Sequence, residues 1–177
     1  MGAYKDRGLI SQTIYEVMLK VDRKNFVVEE GFHGPYADMP RPIGWGTTIS
    51  APSVHATTLE KLKEFLKPGA RVVDIGTGSG YMSACFAELV GKEGKVYMVD
   101  HLQQVLDFAT SNIKKGNIQL FKQKRIIPVL KDGRKGLEEY APFDIIHIGG
   151  AVSIIPPEIF AQLAPGGAIW APVGPRD

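Results

Sequence analysis

The sequence predicts an α/β fold, a doubly wound and mostly parallel sheet with helices on both faces. Three observations predict it. From Arg71 onward, short apolar segments alternate with segments of helical periodicity, the pattern of right-handed strand–helix–strand crossovers. The first apolar segment runs directly into a glycine turn, Gly76-Thr77-Gly78-Ser79-Gly80. The segment Phe143–Ile148 is nearly continuously apolar, as a parallel strand covered on both faces must be. Together they describe an open Rossmann-like sheet.

Each element follows in order. Ser11 stands where it can cap a helix running to about Lys20, with Ile14, Val17, Met18 and Val21 at helical spacing. Gly31 to Pro52 is rich in proline and glycine and reads as a long ordered loop or a set of turns, a length that is often functional. His55–Leu66 reads as a helix stopped by Pro68-Gly69. The expected strands are Arg71–Ile75, Lys95–Asp100, Arg125–Leu130, Phe143–Ile148 and Ala168–Val173. The expected helices between them are Tyr81–Val90, Leu102–Lys115 and Pro156–Leu163, with Pro165-Gly166-Gly167 turning into the last strand. Pro128 cannot donate to a ladder, so its strand is expected at a sheet edge.

The 177 residues suit one compact domain. Residues 1–70 form its N-terminal helices and loop, and residues 71–177 its Rossmann-like core. Apolar residues make up 44% of the chain, enough to fill a core, and the net charge is only +2. That imbalance is too small to argue for nucleic acid or an anionic membrane as partner. The single cysteine, Cys85, excludes an internal disulfide and reads as a buried thiol in a reducing compartment. No secretory apolar region opens the chain, and no apolar run is long enough to span a bilayer. The expectation is a soluble, cytoplasmic protein.

The chemistry gathers around Asp74-Ile75-Gly76-Thr77-Gly78-Ser79-Gly80-Tyr81. A dinucleotide loop spaces its glycines G-x-G-x-x-G. Here the third glycine, Gly80, comes one position early, and Tyr81 stands where the dinucleotide motif needs glycine. Asp74 precedes the first glycine by two residues, where a carboxylate can act on a cationic ligand directly or through water. S-adenosylmethionine carries an ammonium and a sulfonium, whereas NAD carries two phosphates, so the loop favours the former. Asp100 ends the next strand, where ribose hydroxyls are held. Asp132-Gly133 ends the third and could bracket an adenine edge. Ligands of open α/β sheets bind at the carboxyl ends of strands, where all three aspartates fall. Each could instead cap the helix that follows. Three at successive strand ends, beside this loop, favour a ligand.

Upstream lie Met18-Leu19-Lys20-Val21-Asp22-Arg23, Pro35-Tyr36-Ala37-Asp38, Ile43-Gly44 and Thr47-Thr48-Ile49-Ser50-Ala51-Pro52, followed by His55. Downstream lie Asp132-Gly133-Arg134-Lys135-Gly136, Ala141-Pro142-Phe143-Asp144, Gln162-Leu163, Pro165-Gly166-Gly167 and Pro172-Val173-Gly174. In these segments, over most of its length, the chain resembles the protein-L-isoaspartate (D-aspartate) O-methyltransferases. The glycine loop alone would fit any class I methyltransferase; the Thr-Ile-Ser-Ala-Pro segment is the specific part. The resemblance implies methyl transfer from S-adenosylmethionine to the free α-carboxylate of L-isoaspartyl residues in damaged proteins and peptides, leaving S-adenosylhomocysteine and beginning repair. It places Ser50 on the active-site serine. It places Thr47, Thr48, Ile49, Ser50, His55, Ser79, Asp100, His101, Asp132 and Gly133 on cofactor contacts, beside Asp74, Gly76, Gly78 and Gly80 of the loop. No metal is implied.

An isoaspartyl carboxylate is ionised near neutral pH and needs no strong base, so the expected catalysis is alignment and desolvation. Ser50 is expected to orient the substrate rather than attack it. Read from the residues alone, Ser50 could cap a helix starting near Ser53, and His55 could lie on a helix surface. His33 and His147 suggest no partners, and read as structural or exposed. Trp45 and Trp170 read as core or loop anchors, and Lys114-Lys115 and Lys122 to Arg125 as solvated faces.

The chain departs from the family pattern at Ser53, where histidine is frequent, and at Lys131, where glycine precedes the Asp-Gly pair. Family members run on by several tens of residues and add a strand pair beside the fifth strand. The last strand here is therefore expected to be an open edge, the chain a monomer, and a dimer through that edge the alternative. Two other functional readings stand beside the first: a C-terminally truncated, non-catalytic S-adenosylmethionine-binding relative acting through partners, or another class I methyltransferase.

Overall fold

The computed structural model describes residues 2–28 and 34–174, the first two of them by backbone alone. His33 lies outside the described residues. Two helices open the chain, α1 (Gly2–Asp6) and α2 (Gln12–Lys20), followed by a 3-10 turn at Arg23–Phe26. A short antiparallel hairpin, β1 (Arg41–Gly44) and β2 (Thr47–Ile49), leads into α3 (Pro52–Leu62). Then come β3 (Arg71–Ile75), α4 (Tyr81–Leu89), β4 (Lys95–Asp100), α5 (Gln103–Asn117), α6 (Gln119–Lys122) and β5 (Ile126–Leu130). Strand β6 (Phe143–Ile148), one turn of helix α7 (Pro157–Phe160) and β7 (Leu163–Trp170) complete the order.

Five strands form one sheet in the order β5-β4-β3-β6-β7, every neighbour parallel. Chain direction across the sheet reverses between β3 and β6, the switch point at which doubly wound folds hold ligands. The edge position expected for the Pro128 strand is the one observed: β5 is outermost beside β4.

Alternation along the strands divides the core in two. Val72, Val96, Met98, Ile126 and Ile145 pack with α2, α3, α4 and α5 on one face. Val73, Tyr97, Phe143, Ile146 and Ile148 face the other side. That side is covered by Leu137, from the connection into β6, and by Ile159 of α7. Both faces are covered, but one by four helices and the other by turns and a single helical turn. Cys85, on α4, is fully buried, and burial pushes its thiol pKa up.

Several expectations need correction. The Gly31–Pro52 stretch holds the β1–β2 hairpin, whose turn has Trp45 at φ 51° and packs that ring on Phe108 of α5. The expected His55 helix starts three residues earlier, at Pro52, because proline suits the first turn. Ser11 stands at the cap of α2 without capping it; its N–H and hydroxyl both donate to Glu60 on α3. The last strand begins at Leu163, and Pro165-Gly166-Gly167 lies within it at a shift in register against β6. Arg125 is not solvated: its guanidinium donates to the Ala87 carbonyl and lies 3.6 Å from the buried Glu88 carboxylate.

Candidate active site

The glycine loop is laid over the carboxyl end of β4. Gly76 and Thr77 both donate their N–H to the Val99 carbonyl, at 2.9 and 3.1 Å. Three glycines turn the chain with φ of +73°, +54° and +83° at Gly76, Gly78 and Gly80, a region L side chains avoid. Gly80 starts α4, and a Cβ there would sit 3.0 Å from Ala109 Cβ. It lets α4 approach α5 and, among the described residues, is absent from the lining of the two cavities that flank the loop, so packing accounts for it.

The three strand-end aspartates divide into three roles. Asp100 is buried and ties the site together. Its Oδ1 accepts from Leu102 N at 3.2 Å and its Oδ2 from Gly78 N at 3.4 Å. Asp74 is buried on β3 with both oxygens engaged: Ser83 donates to Oδ2 at 2.5 Å, and His147 Nδ1 lies 2.7 Å from Oδ1. Thr77 Oγ1 extends the chain to Ser83 at 3.0 Å. Asp74 thus lines the cavity with each oxygen already engaged by one protein partner. Asp132 is exposed, caps the 3-10 turn Gly133–Lys135 and pairs with Arg134. Hydrogen bonding from the Arg134 side chain is the largest cause holding its carboxyl down, at about 2. For this aspartate the capping alternative describes the observed contacts.

His147, read from the sequence as structural or exposed, is buried and paired with Asp74, its β-ladder neighbour across from β3. Its ring meets Phe86 edge-on at 5.3 Å. A polar residue in a strand read as covered on both faces must find a partner, and that was the available signal.

Opposite the glycine loop, Thr48, Ile49 and Ser50 leave the hairpin and enter α3. The helix cap is Ala51, so Ser50 does not cap it. Ser50 is half-buried, and its hydroxyl has no partner among the described residues. Thr47 lies one residue too early: its hydroxyl donates to the Gly44 carbonyl, closing the hairpin turn away from the cavity. His55 is buried, not on a helix surface, and stacks on Tyr81 with ring centroids 4.7 Å apart. Its Nδ1 lies 3.3 Å from Nη1 of the buried Arg23. Burial foremost, with the charges of Arg23 and His147, brings its pKa down to about 3, so the ring is neutral.

These walls enclose a cavity of about 460 Å³. Ser50, His55, Asp74, Gly78, Ser79 and His147 line it, and Trp170, half-buried beyond β6, closes one side. A second cavity, of about 370 Å³, is lined by Asp100, His101, Asp132 and Gly133. The two share Gly76. A glycine cradle between two adjoining chambers, one beside a strand-end carboxylate, fits an elongated ligand with an amino-acid half and a nucleoside half. Arg23, quoted within its motif but given no role, is a residue beside the site that sequence reasoning missed, as are His147 and Trp170 in the cavity wall.

The sequence pattern of the protein-L-isoaspartate (D-aspartate) O-methyltransferase family matches residues 1–177. A protein-L-isoaspartate O-methyltransferase of Arabidopsis thaliana is 44% identical over 172 residues, covering 96% of this chain and 55% of its own length. One from Triticum aestivum is 43% identical, covering 96% of this chain and 74% of its own. The chain thus spans about half of the first relative and three quarters of the second. A crystal structure from Plasmodium falciparum, named for the same activity and holding S-adenosyl-L-homocysteine, superposes with a TM-score of 0.88 at 33% identity. That match covers 98% of this chain and 82% of the other. By sequence over its whole length and by fold, this chain belongs to the protein-L-isoaspartate (D-aspartate) O-methyltransferase family.

Proposed function

We propose that this chain methylates the free α-carboxylate of L-isoaspartyl residues in damaged proteins and peptides, using S-adenosylmethionine and leaving S-adenosylhomocysteine. The observation that carries the reading is the cavity that sets Ser50 and His55 opposite the Gly76–Ser79 loop. S-adenosylmethionine, when bound, supplies a methyl group activated on a sulfonium. The loop from Gly76 to Ser79, with His55 and the Thr48–Ser50 segment, would hold its amino-acid half. Asp100, His101, Asp132 and Gly133 would hold its nucleoside half. Asp74, in the same wall, fixes Ser83 and His147.

The protein's own task is positional. The substrate carboxylate carries its charge at neutral pH, so no residue has to remove a proton. Ser50, with a hydroxyl free to donate, orients that carboxylate. Thr48, Ile49, Trp170 and Pro172 enclose the carboxylate and keep water from it. We further propose that residues 1–177 act as one functional domain, residues 1–70 supplying the N-terminal helices and the substrate-side loop and residues 71–177 the Rossmann-like core. Among the described residues no helix is long and apolar enough to cross a membrane. The proposed setting is the cytoplasm, and the proposed form a monomer, with a dimer through β7 as the alternative arrangement.

Incubation with methyl-labelled S-adenosylmethionine and an isoaspartyl peptide is expected to yield a base-labile methyl ester, and none on the aspartyl isomer. Label on both isomers, or S-adenosylhomocysteine binding without any transfer, would overturn the proposal.

A further inference from the structure

Arg23 is a buried guanidinium with an unusual set of neighbours. It follows Asp22 at the 3-10 turn after α2 and is 4% exposed. Its Nε donates to the Pro35 carbonyl at 2.9 Å, and Nη1 lies 3.3 Å from His55 Nδ1. Nη2 is buried with no partner among the described residues. Burial lowers its pKa from the ordinary arginine value, yet a guanidinium remains protonated in proteins and carries donors only. Nδ1 of His55 must therefore be the acceptor in this contact. A neutral imidazole that accepts at Nδ1 carries its proton on Nε2.

We infer that Arg23 is a positioning residue that holds His55 as the Nε2–H tautomer, so that the ring offers the cavity a hydrogen-bond donor for a carboxylate and never a base. Two further facts support the assignment. Stacking on Tyr81 fixes the plane of the ring, and Nε2, with no partner among the described residues, is the nitrogen left for an occupant of the cavity that His55 lines. The titratable and charged groups packed around the ring are Arg23 from the turn, Tyr81 from α4, and His147 from β6, the last itself held on Asp74. Arg23 and His147 oppose protonation of the ring, and the ring keeps one tautomer across neutral pH. The inference rests on reading the cavity as the site of S-adenosylmethionine and the isoaspartyl group. Each brings a carboxylate: one on the amino-acid half of the cofactor, the other on the substrate.

The test uses the whole chain labelled with 15N-histidine, with His55 assigned by the signal lost in His55→Gln. Long-range proton–nitrogen correlation of the free protein is expected to show a protonated Nε2 and an unprotonated Nδ1 from pH 5 to 8. A protonated Nδ1 would overturn the inference. Arg23→Met is expected to populate both tautomers and to weaken carboxylate binding about tenfold, the worth of one hydrogen bond to a charged group. If the loss falls on calorimetric affinity for S-adenosylhomocysteine, the cofactor's carboxylate is the acceptor. If it falls on the isoaspartyl-peptide KM alone, the substrate's is. An unchanged tautomer, or both constants unchanged, sinks the proposal. Should Arg23→Met fail to fold, Arg23→Lys, which keeps a donor, is expected to retain the Nε2–H ring, and an Nδ1–H ring there counts against it. Wild-type protein that binds no S-adenosylhomocysteine would overturn the reading of the cavity; the tautomer is read without ligand, so the two failures are distinct.

Discussion

At the scale of single residues, the site separates polar groups with partners from polar groups left free. Asp74, Asp100 and Ser79 are engaged by neighbouring protein groups, whereas the Ser50 hydroxyl has no partner among the described residues. Ser50→Ala is therefore expected to lower kcat/KM for an isoaspartyl peptide about tenfold while changing S-adenosylhomocysteine affinity less. Mass spectrometry of wild-type protein under turnover is expected to find no adduct on Ser50. A covalent adduct, or full activity in the variant, contradicts an orienting role. His55 makes a second prediction, on stability. Its folded pKa of about 3 lies below the ordinary histidine value of 6.5, so between these values the unfolded chain binds a proton that the folded chain does not. Stability therefore falls as pH drops from about 6.5 toward 3, at up to about 1.4 kcal/mol per pH unit. Urea melts from pH 7 to pH 5, above the carboxylate range, are expected to show that slope, reduced in His55→Gln. Equal slopes in both proteins would refute it.

At the scale of elements, legibility followed period. Strands β3 to β6 and helices α4 and α5 could be read because their apolar spacing is set by one local geometry. The strand Arg71–Ile75 and the strand Phe143–Ile148 match the observed bounds. The β1–β2 hairpin could not be read, because it lies among prolines and glycines without alternation and its turn is set by Trp45 packing on α5. The turn expected at Pro165-Gly166-Gly167 failed because pairing to β6 overrode local propensity. Among the site residues, the loop and Asp100 were legible from spacing and strand ends. Arg23 was not, since its role depends on a contact 32 residues away. Gly80 joins two elements, and Gly80→Ala is expected to destabilise the protein by at least about 1–2 kcal/mol, through left-handed backbone strain and contact with Ala109. Urea unfolding of the variant measures it, and unchanged stability would show that α4 can move away from α5 at no cost.

At the scale of the whole molecule, the main cavity is closed by parts of the chain far apart in sequence: Thr48 to Thr58, Asp74 to Met82, His147 to Gly149 and Trp170 to Pro172. A ligand bound there belongs to the folded state alone. S-adenosylhomocysteine at a hundred times its Kd is expected to raise unfolding free energy by about 2.7 kcal/mol. Thermal melts with and without ligand check this, and no rise in Tm at saturation would exclude binding to the folded chain.

The same sheet order has a consequence in time. Strand β3 pairs on one side with β4, which follows it closely, and on the other with β6, about 70 residues later. Contacts between distant segments form slowly, because the loop must close before the contact rewards it. The β3–β4–β5 half can assemble from neighbouring sequence, whereas the half carrying His147 and Trp170 must wait for its chain. The carboxylate of Asp74, folded early, would spend that interval without His147. Loop closure alone then makes the cavity an expected late product of folding, and a protein slowed at the insertion of β6 would hold a formed glycine loop beside an unfinished site.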